Sequence, residues 1–190
     1  MSIRGNKRQC ESSLETSNIA YWTIRMMHDN PILPLVRNPY QLLHAAGLKK
    51  GQRVFEVGCG PGFFSIPAAK IVGDTGHVYT VDIHPRAVER VREKTEKGAL
   101  KNLTPMCINA SNTDLPGGSI DLAFVFGLRY IAGGMENVIS ELYRILKPGG
   151  ILSIEKTGGS EAKWIEEIER KGFAYTEKQG RIFIFKKKGE

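Results

Sequence analysis

The sequence predicts a doubly wound α/β fold whose sheet is mostly parallel and ends in an antiparallel hairpin. Three observations carry that reading. Continuous apolar runs alternate with amphipathic segments at helical spacing, the pattern of a parallel sheet covered on both faces. A glycine loop, Gly58-x-Gly60-x-Gly62, joins the first run to the segment that follows it. The last two runs have no helix between them, so they pair as a hairpin.

The strand candidates are Val54–Val57, Val78–Val81, Pro105–Ile108, Leu122–Phe126 and Ile151–Glu155, followed by the hairpin strands Phe173–Thr176 and Ile182–Phe185. Between them the 3.6-residue periodicity marks helices over Phe63–Val72, Pro85–Glu96 and Met135–Leu146, and then Glu161–Lys171 ahead of the hairpin. Asn109–Asp121 is too polar to be read as a helix. Right-handed crossovers then fix the doubly wound arrangement. Ahead of the sheet, Asn38-Pro39 reads as an N-cap followed by proline at the first helical position. Further upstream, Ile19, Trp22, Met26 and Met27 fall on one face of a helix within residues 11–27. The chain thus divides into an N-terminal extension over residues 1–38, a candidate lid, and a domain over residues 39–190.

With 190 residues, of which 41% are apolar and 25% charged, the chain suits one well-buried core and excludes disordered or fibrous classes. No apolar run approaches the roughly 20 residues of a membrane span. No apolar segment follows the basic residues 1–10, so a secretory signal is not expected. Cys10, Cys59 and Cys107 form no CxxC pair and no even framework; reduced, packed thiols are expected at Cys59 and Cys107, and a cytoplasmic location with them. No His/Cys/Asp spacing suggests a metal site. The net charge of +7 permits attraction to nucleic acid, but the basic residues are scattered and aromatic side chains are not interleaved with them.

The chemistry is concentrated between Val54 and Asp82. Glycines at alternate positions allow a tight turn and let backbone approach a ligand closely. The amides at the start of the next helix are unsatisfied donors. Asp82 ends the second strand about 20 residues beyond the loop, where a carboxylate accepts hydrogen bonds from ribose hydroxyls. A dinucleotide site wants G-x-G-x-x-G, and its third glycine falls here on Phe63, a bulky residue at the start of the helix. Glu56 precedes the loop instead; a carboxylate there suits a cationic cofactor, or else holds the turn through loop amides.

VFEVGCGPG, VDIHP, LPGGSIDLAFVF and LKPGGILSIE, in this order and at these separations, resemble the class I S-adenosylmethionine-dependent methyltransferase family over residues 39–185. The resemblance implies a Rossmann-like, seven-stranded sheet whose last strand is antiparallel. It implies S-adenosyl-L-methionine as cofactor and S-adenosyl-L-homocysteine as product. By position, Glu56, Gly58, Gly60 and Gly62 would wrap the methionine part. Asp82 would bind the ribose and Ile83 would pack on the adenine. Asn109 and Ala110 would meet the base edge, and Phe126, Gly127 and Leu128 would lie beneath the transferring methyl. The spacing after Asn109 leaves the adenine contact open to Ser111 or Asn112. Trp22, His28, Arg129 and Tyr130 are candidates for acceptor contact, each with packing or solvation as the alternative. A small-molecule acceptor fits a chain with no large insertion, and in-line displacement needs no catalytic side chain that the sequence names. An RNA or protein acceptor, or a non-catalytic cofactor-binding module, are the other readings.

Overall fold

The computed structural model describes residues 37–127, 132–156 and 158–189, together with Pro34. Asn38 caps the first described helix, α1 (Pro39–Ala45), its side chain accepting from Tyr40 N at 3.0 Å and Gln41 N at 3.2 Å, as the Asn-Pro pair predicts. The chain then runs β1 (Arg53–Val57), α2 (Ser65–Val72), β2 (His77–Asp82), α3 (Pro85–Lys97), β3 (Leu103–Cys107), β4 (Ile120–Val125) and α4 (Met135–Ile145). It ends with β5 (Leu146–Glu155), α5 (Glu161–Glu169), β6 (Phe173–Gln179) and β7 (Ile182–Lys187).

The seven strands form one sheet in the order β3-β2-β1-β4-β5-β7-β6. The pairs among β1 to β5 are parallel, and β7 runs antiparallel to both β5 and β6. The doubly wound sheet with an antiparallel C-terminal hairpin is therefore as the sequence reads. The chain first winds outward from β1 through β2 to β3, then returns to place β4 on the other side of β1. That reversal, between β1 and β4, is the point where open α/β sheets bind ligands beyond the carboxyl ends of their strands.

Alternation along the strands sorts the core into two layers. Val54, Val78, Leu122, Phe124, Ile182 and Ile184 pack beneath α1, α2 and α3. Phe55, Val57, Val81, Val125, Phe183 and Phe185 pack beneath α4 and α5. Phe55, Phe124, Phe173, Phe183 and Phe185 are among the largest side chains sealed from solvent. Trp164 of α5 sits edge-on to Phe183 and Phe185, with centroids at 5.2 and 5.7 Å, so the hairpin is held from one face by an aromatic cluster.

The two largest boundary differences from the expectation are the start of β5 and the end of β6. β5 begins at Leu146, directly after α4, because Leu146 pairs with Ile120; the register then shifts before Leu122 pairs with Ile151. β6 continues to Gln179, so the hairpin turn narrows to Gly180 and Arg181, with Gly180 at φ +60°. Pro105 is tolerated inside β3 because that strand is an edge. Cys59 is a buried free thiol, as expected. Cys107 is disulfide-bonded, which corrects the expectation of a reduced thiol there. Its place at the half-buried end of an edge strand leaves it accessible to another sulfur, whereas Cys59 is sealed. Among the described residues, no helix is long and apolar enough to cross a membrane.

Candidate functional site

β1 ends at Val57 and the chain turns back onto β2: the Gly58 and Cys59 amides both donate to Val81 O, at 2.8 and 2.9 Å. Gly60 N donates to Asp82 Oδ2 at 2.9 Å, and Gly62 N closes the turn on Cys59 O at 2.9 Å. Such a path requires positive φ at all three glycines, which have +75°, +49° and +87°. A Cβ at Gly62 would also lie 3.2 Å from Val91 of α3, so helix and loop are in close contact there. Lys94, one turn further along α3, donates to Pro61 O at 2.7 Å. Phe63 and Phe64 are buried next, edge to face at 4.9 Å, with Phe64 packed on Phe126 at 5.3 Å. The aromatic that breaks the dinucleotide pattern is thus a core residue.

Glu56 is 2% exposed and lies in phase with Val54, on the α2 side of the sheet. One of its oxygens accepts from Ser65 Oγ and from Thr80 Oγ1, both at 2.6 Å. Thr80 is its direct partner in the β1–β2 register. Burial pushes the Glu56 carboxyl up to about 7, against the pull of the two hydroxyls, and the nearby Asp82 carboxylate adds to the rise.

Asp82 stands half-buried at the end of β2. Its Oδ1 accepts from His84 N at 2.9 Å while Oδ2 takes Gly60 N. Burial raises its pKa above the usual carboxylate range, and the amide hydrogen bonds oppose that rise. A carboxylate offers about four lone-pair sites, and the amides of Gly60, His84 and Ile83 draw on three, so acceptor capacity remains. Ile83 follows, half-buried.

After β3, Asn109 Oδ1 accepts from Ser111 N at 3.0 Å and Ser111 Oγ at 2.9 Å, an Asx turn that occupies the amide oxygen locally. Gly133 covers the same side chain closely enough that a Cβ would lie 3.1 Å from both amide atoms. Ala110 is buried in the core layer beneath α4 and α5. After β4, Phe126 is 5% exposed and its ring is core, leaving its backbone at the sheet edge. Gly127, at φ +67°, donates its amide to Glu155 Oε2 at 3.0 Å. The same Glu155 oxygen accepts from Arg37, whose guanidinium lies 5.3 Å above the Phe64 ring. Trp22, His28, Leu128, Arg129 and Tyr130 lie outside the described residues.

The parallel strands thus bring Gly58, Gly60, Gly62, Asp82, Ile83, Asn109, Ala110 and Gly127 to one edge of the sheet. Sequence reasoning missed Ser65 and Thr80, although Thr80 is a polar residue in the inward phase of β2. It missed Glu155, an acid ending an apolar strand as Asp82 does. It also missed the buried Glu141, which accepts from Thr113 N and Oγ1 at 2.9 and 2.6 Å and from Arg144 at 2.7 and 2.8 Å. This pins the loop after β3 to α4. Among the described residues, no cluster of His, Cys, Asp and Glu gathers to hold a metal.

A sheet of this order, with a glycine loop wired to a strand-end aspartate at the switch point, is the architecture of a class I methyltransferase. Residues 54–150 match the family described as methyltransferase domain, and the chain belongs to that family. It is similar to a S-adenosylmethionine-dependent methyltransferase from Aquifex aeolicus, with 27% identity and a TM-score of 0.73 over 87% of this chain and 95% of that one. It is 33% identical to the demethylmenaquinone methyltransferase of Listeria welshimeri over 67% of this chain and 54% of the relative. It is 32% identical to the ubiquinone/menaquinone biosynthesis C-methyltransferase of Erwinia tasmaniensis over 59% of this chain and 45% of the relative. The chain therefore spans about half the length of the curated relatives it matches. S-adenosylmethionine is the cofactor of this family, and the donor set here fits it: spare carboxylate acceptors at Asp82 for ribose hydroxyls, and a glycine backbone that a ligand can approach.

Proposed function

We propose that this chain transfers the methyl group of S-adenosylmethionine to a small-molecule acceptor by in-line displacement. The observation that carries the reading is the Gly60–Asp82 hydrogen bond, which joins the glycine loop to the strand-end carboxylate as one unit at the switch point. When bound, S-adenosylmethionine supplies an activated methyl on its sulfonium. Asp82 orients the ribose through its remaining lone pairs, and the backbone of Gly58 and Gly60 meets the methionine part. Ile83 covers the adenine, with Asn109 and Ala110 at the base edge. Glu56 holds the loop by its hydroxyl contacts and gives the site negative potential when ionised. Phe126, Gly127 and Leu128 form the floor near the methyl, and Phe63 and Phe64 keep water out from below. Fixing donor and acceptor in near-attack geometry supplies several kcal/mol of the barrier reduction without a side-chain catalyst, at roughly 7–11 kcal/mol in the best-oriented cases.

The small-molecule acceptor is supported by the quinone-pathway names of the curated relatives. In the same reading, residues 1–38 are an extension over the acceptor side, with Trp22, His28, Arg129 and Tyr130 in reach of the acceptor, and residues 39–190 are the cofactor domain. Its support is Arg37, which ties the end of that extension to the carboxylate holding Gly127. A cytoplasmic location belongs to the same reading, and of the two thiols first taken to support it only the free, buried Cys59 still does. The test is methyl transfer from labelled cofactor to cell extract, fractionated into small molecules, protein and RNA. Label in the small-molecule fraction is expected. Label confined to RNA or protein would replace the acceptor class, and tight cofactor binding with no transfer would make the chain a binding module.

A further inference from the structure

Beyond Glu155 lies a cleft of about 240 Å³ that the cofactor site does not use, lined by Lys156, Gly158, Gly159, Lys178, Arg181 and Phe183, with Glu161 at its side. Three cations meet one carboxylate there. Lys178 spends its charge on Glu161 at 2.6 Å and rides over the Phe183 ring at 5.0 Å. The Lys156 ammonium is turned onto the carbonyls of Gly158 and Gly159, the latter at 2.6 Å, which are neutral acceptors. Arg181 makes a long contact of 3.4 Å to Lys156 O. Among the described residues, Lys156 and Arg181 thus have no carboxylate partner, which leaves two positive charges inside one concavity. The cleft is smaller than a typical ligand pocket of roughly 300–1,000 Å³, and suits one polar group of a ligand better than a whole ligand.

Its place in the fold gives the charge a purpose. Lys156 N bonds Arg181 O at 3.1 Å, so the hairpin turn and the end of β5 stand side by side. Both lie at the carboxyl edge of the sheet, on the β4–β5 side of the switch point. Lys156 is the residue after Glu155, whose carboxylate holds Gly127. The cleft therefore adjoins the strand end whose carboxylate holds Gly127.

We propose that the Lys156–Lys178–Arg181 cleft binds a phosphate or diphosphate group of the methyl acceptor, and so selects anionic acceptors. This rests on the acceptor side assigned under the proposed function. Arg181 presents the planar fork that matches phosphate oxygens, and the lysines add charge. Phe183 forms the apolar floor of the cleft.

The test uses the full chain with inorganic pyrophosphate as probe, titrated by calorimetry, and S-adenosylhomocysteine titrated separately. Arg181→Gln and Lys156→Gln are each expected to weaken pyrophosphate about tenfold, the loss of one charge-assisted contact, while homocysteine-cofactor affinity stays within about twofold. Glu161→Gln removes the competing carboxylate and is expected to tighten pyrophosphate about threefold, a gain that misfolding cannot imitate. Pyrophosphate that does not bind, that binds all three variants alike, or that S-adenosylhomocysteine displaces overturns the proposal and leaves the cofactor reading standing. Failure of the unmodified chain to bind S-adenosylhomocysteine overturns the cofactor reading instead. A short single-stranded oligonucleotide is the parallel arm: binding of it, with none of pyrophosphate, assigns the cleft to a polynucleotide and overturns the small-molecule acceptor.

Discussion

Replacing Glu56 by Gln separates its charge from its shape. The amide is nearly isosteric and its oxygen still accepts from Ser65 and Thr80, so the 2.6 Å hydroxyl contacts have a counterpart. What disappears is the titration. The carboxyl is pushed from its ordinary 4.5 up to about 7 in the folded chain. A raised acid pKa means that the folded state holds the proton more tightly than the unfolded one. Stability from this group is complete below 4.5, falls as pH rises through the window, and is lost by about 7. At 1.36 kcal/mol per unit, the loss between pH 5 and 7.5 is about 2–3 kcal/mol. Urea denaturation of both proteins across that range gives the difference directly. Wild type minus Glu56→Gln should fall with pH by that amount, and the variant should be the more stable protein at pH 7.5. A pH-independent difference, or one that rises, refutes the burial argument. Cofactor affinity adds a second readout. If the ionised carboxylate attracts the cationic cofactor, affinity for S-adenosylmethionine increases through pH 7 in wild type and stays flat in the variant. If Glu56 only holds the loop, the two curves are parallel.

The other predictions concern the loop and its supports. Asp82→Ala removes both the ribose acceptor and the anchor of Gly60, and should weaken S-adenosylmethionine by roughly 1.5–3 kcal/mol, about ten- to a hundredfold by calorimetry. Unchanged affinity would remove Asp82 from the site. Gly62→Ala forces a side chain into a left-handed conformation against Val91, and should cost about 1–3 kcal/mol in denaturant unfolding. Glu141→Ala strips the acceptor from Thr113 and from a half-exposed Arg144, and should cost about 2–3 kcal/mol. In Glu141, burial works to raise the pKa but the Arg144 and Thr113 hydrogen bonds outweigh it and hold it below the ordinary range. Its contribution is therefore present above the unfolded pKa and is lost on acidification, opposite in sign to that of Glu56.

The parallel half of the sheet was legible because its strands are buried on both faces and therefore read as unbroken apolar runs. The antiparallel end was legible from the short span between two runs. The start of β5 was not, because Lys147-Pro148-Gly149-Gly150 has the composition of a loop, and Leu146 is drawn into the sheet only by Ile120 across from it. In the loop, the glycines could be read because the turn needs positive φ, and Asp82 by its place at the end of an apolar strand. The setting of Glu56 could not. Its phase with Val54 indicates the face it occupies, but its partners Ser65 and Thr80 depend on how α2 lies over the β1–β2 pair. The Asx turn at Asn109 illustrates the same limit, since sequence indicates an available amide and folding gives it to Ser111.

The place of β7 has a consequence for the order in which the molecule is built. β7 follows β6 in the chain but lies between β5 and β6. While β6 emerges from a ribosome, its native neighbour β7 has not been made, and the open edge at β5 is the place of β7. The strand must wait, or pair with β7 first; a hairpin closing in about 1–10 μs makes the second route available as soon as both are present. The pair then docks on β5 as a unit, bringing Phe183 and Phe185 under Trp164 in one step. Until that moment β5 is an exposed edge carrying Leu152 and Ile154, so the interval between synthesis of β5 and of β7 is when the nascent chain most invites pairing with another.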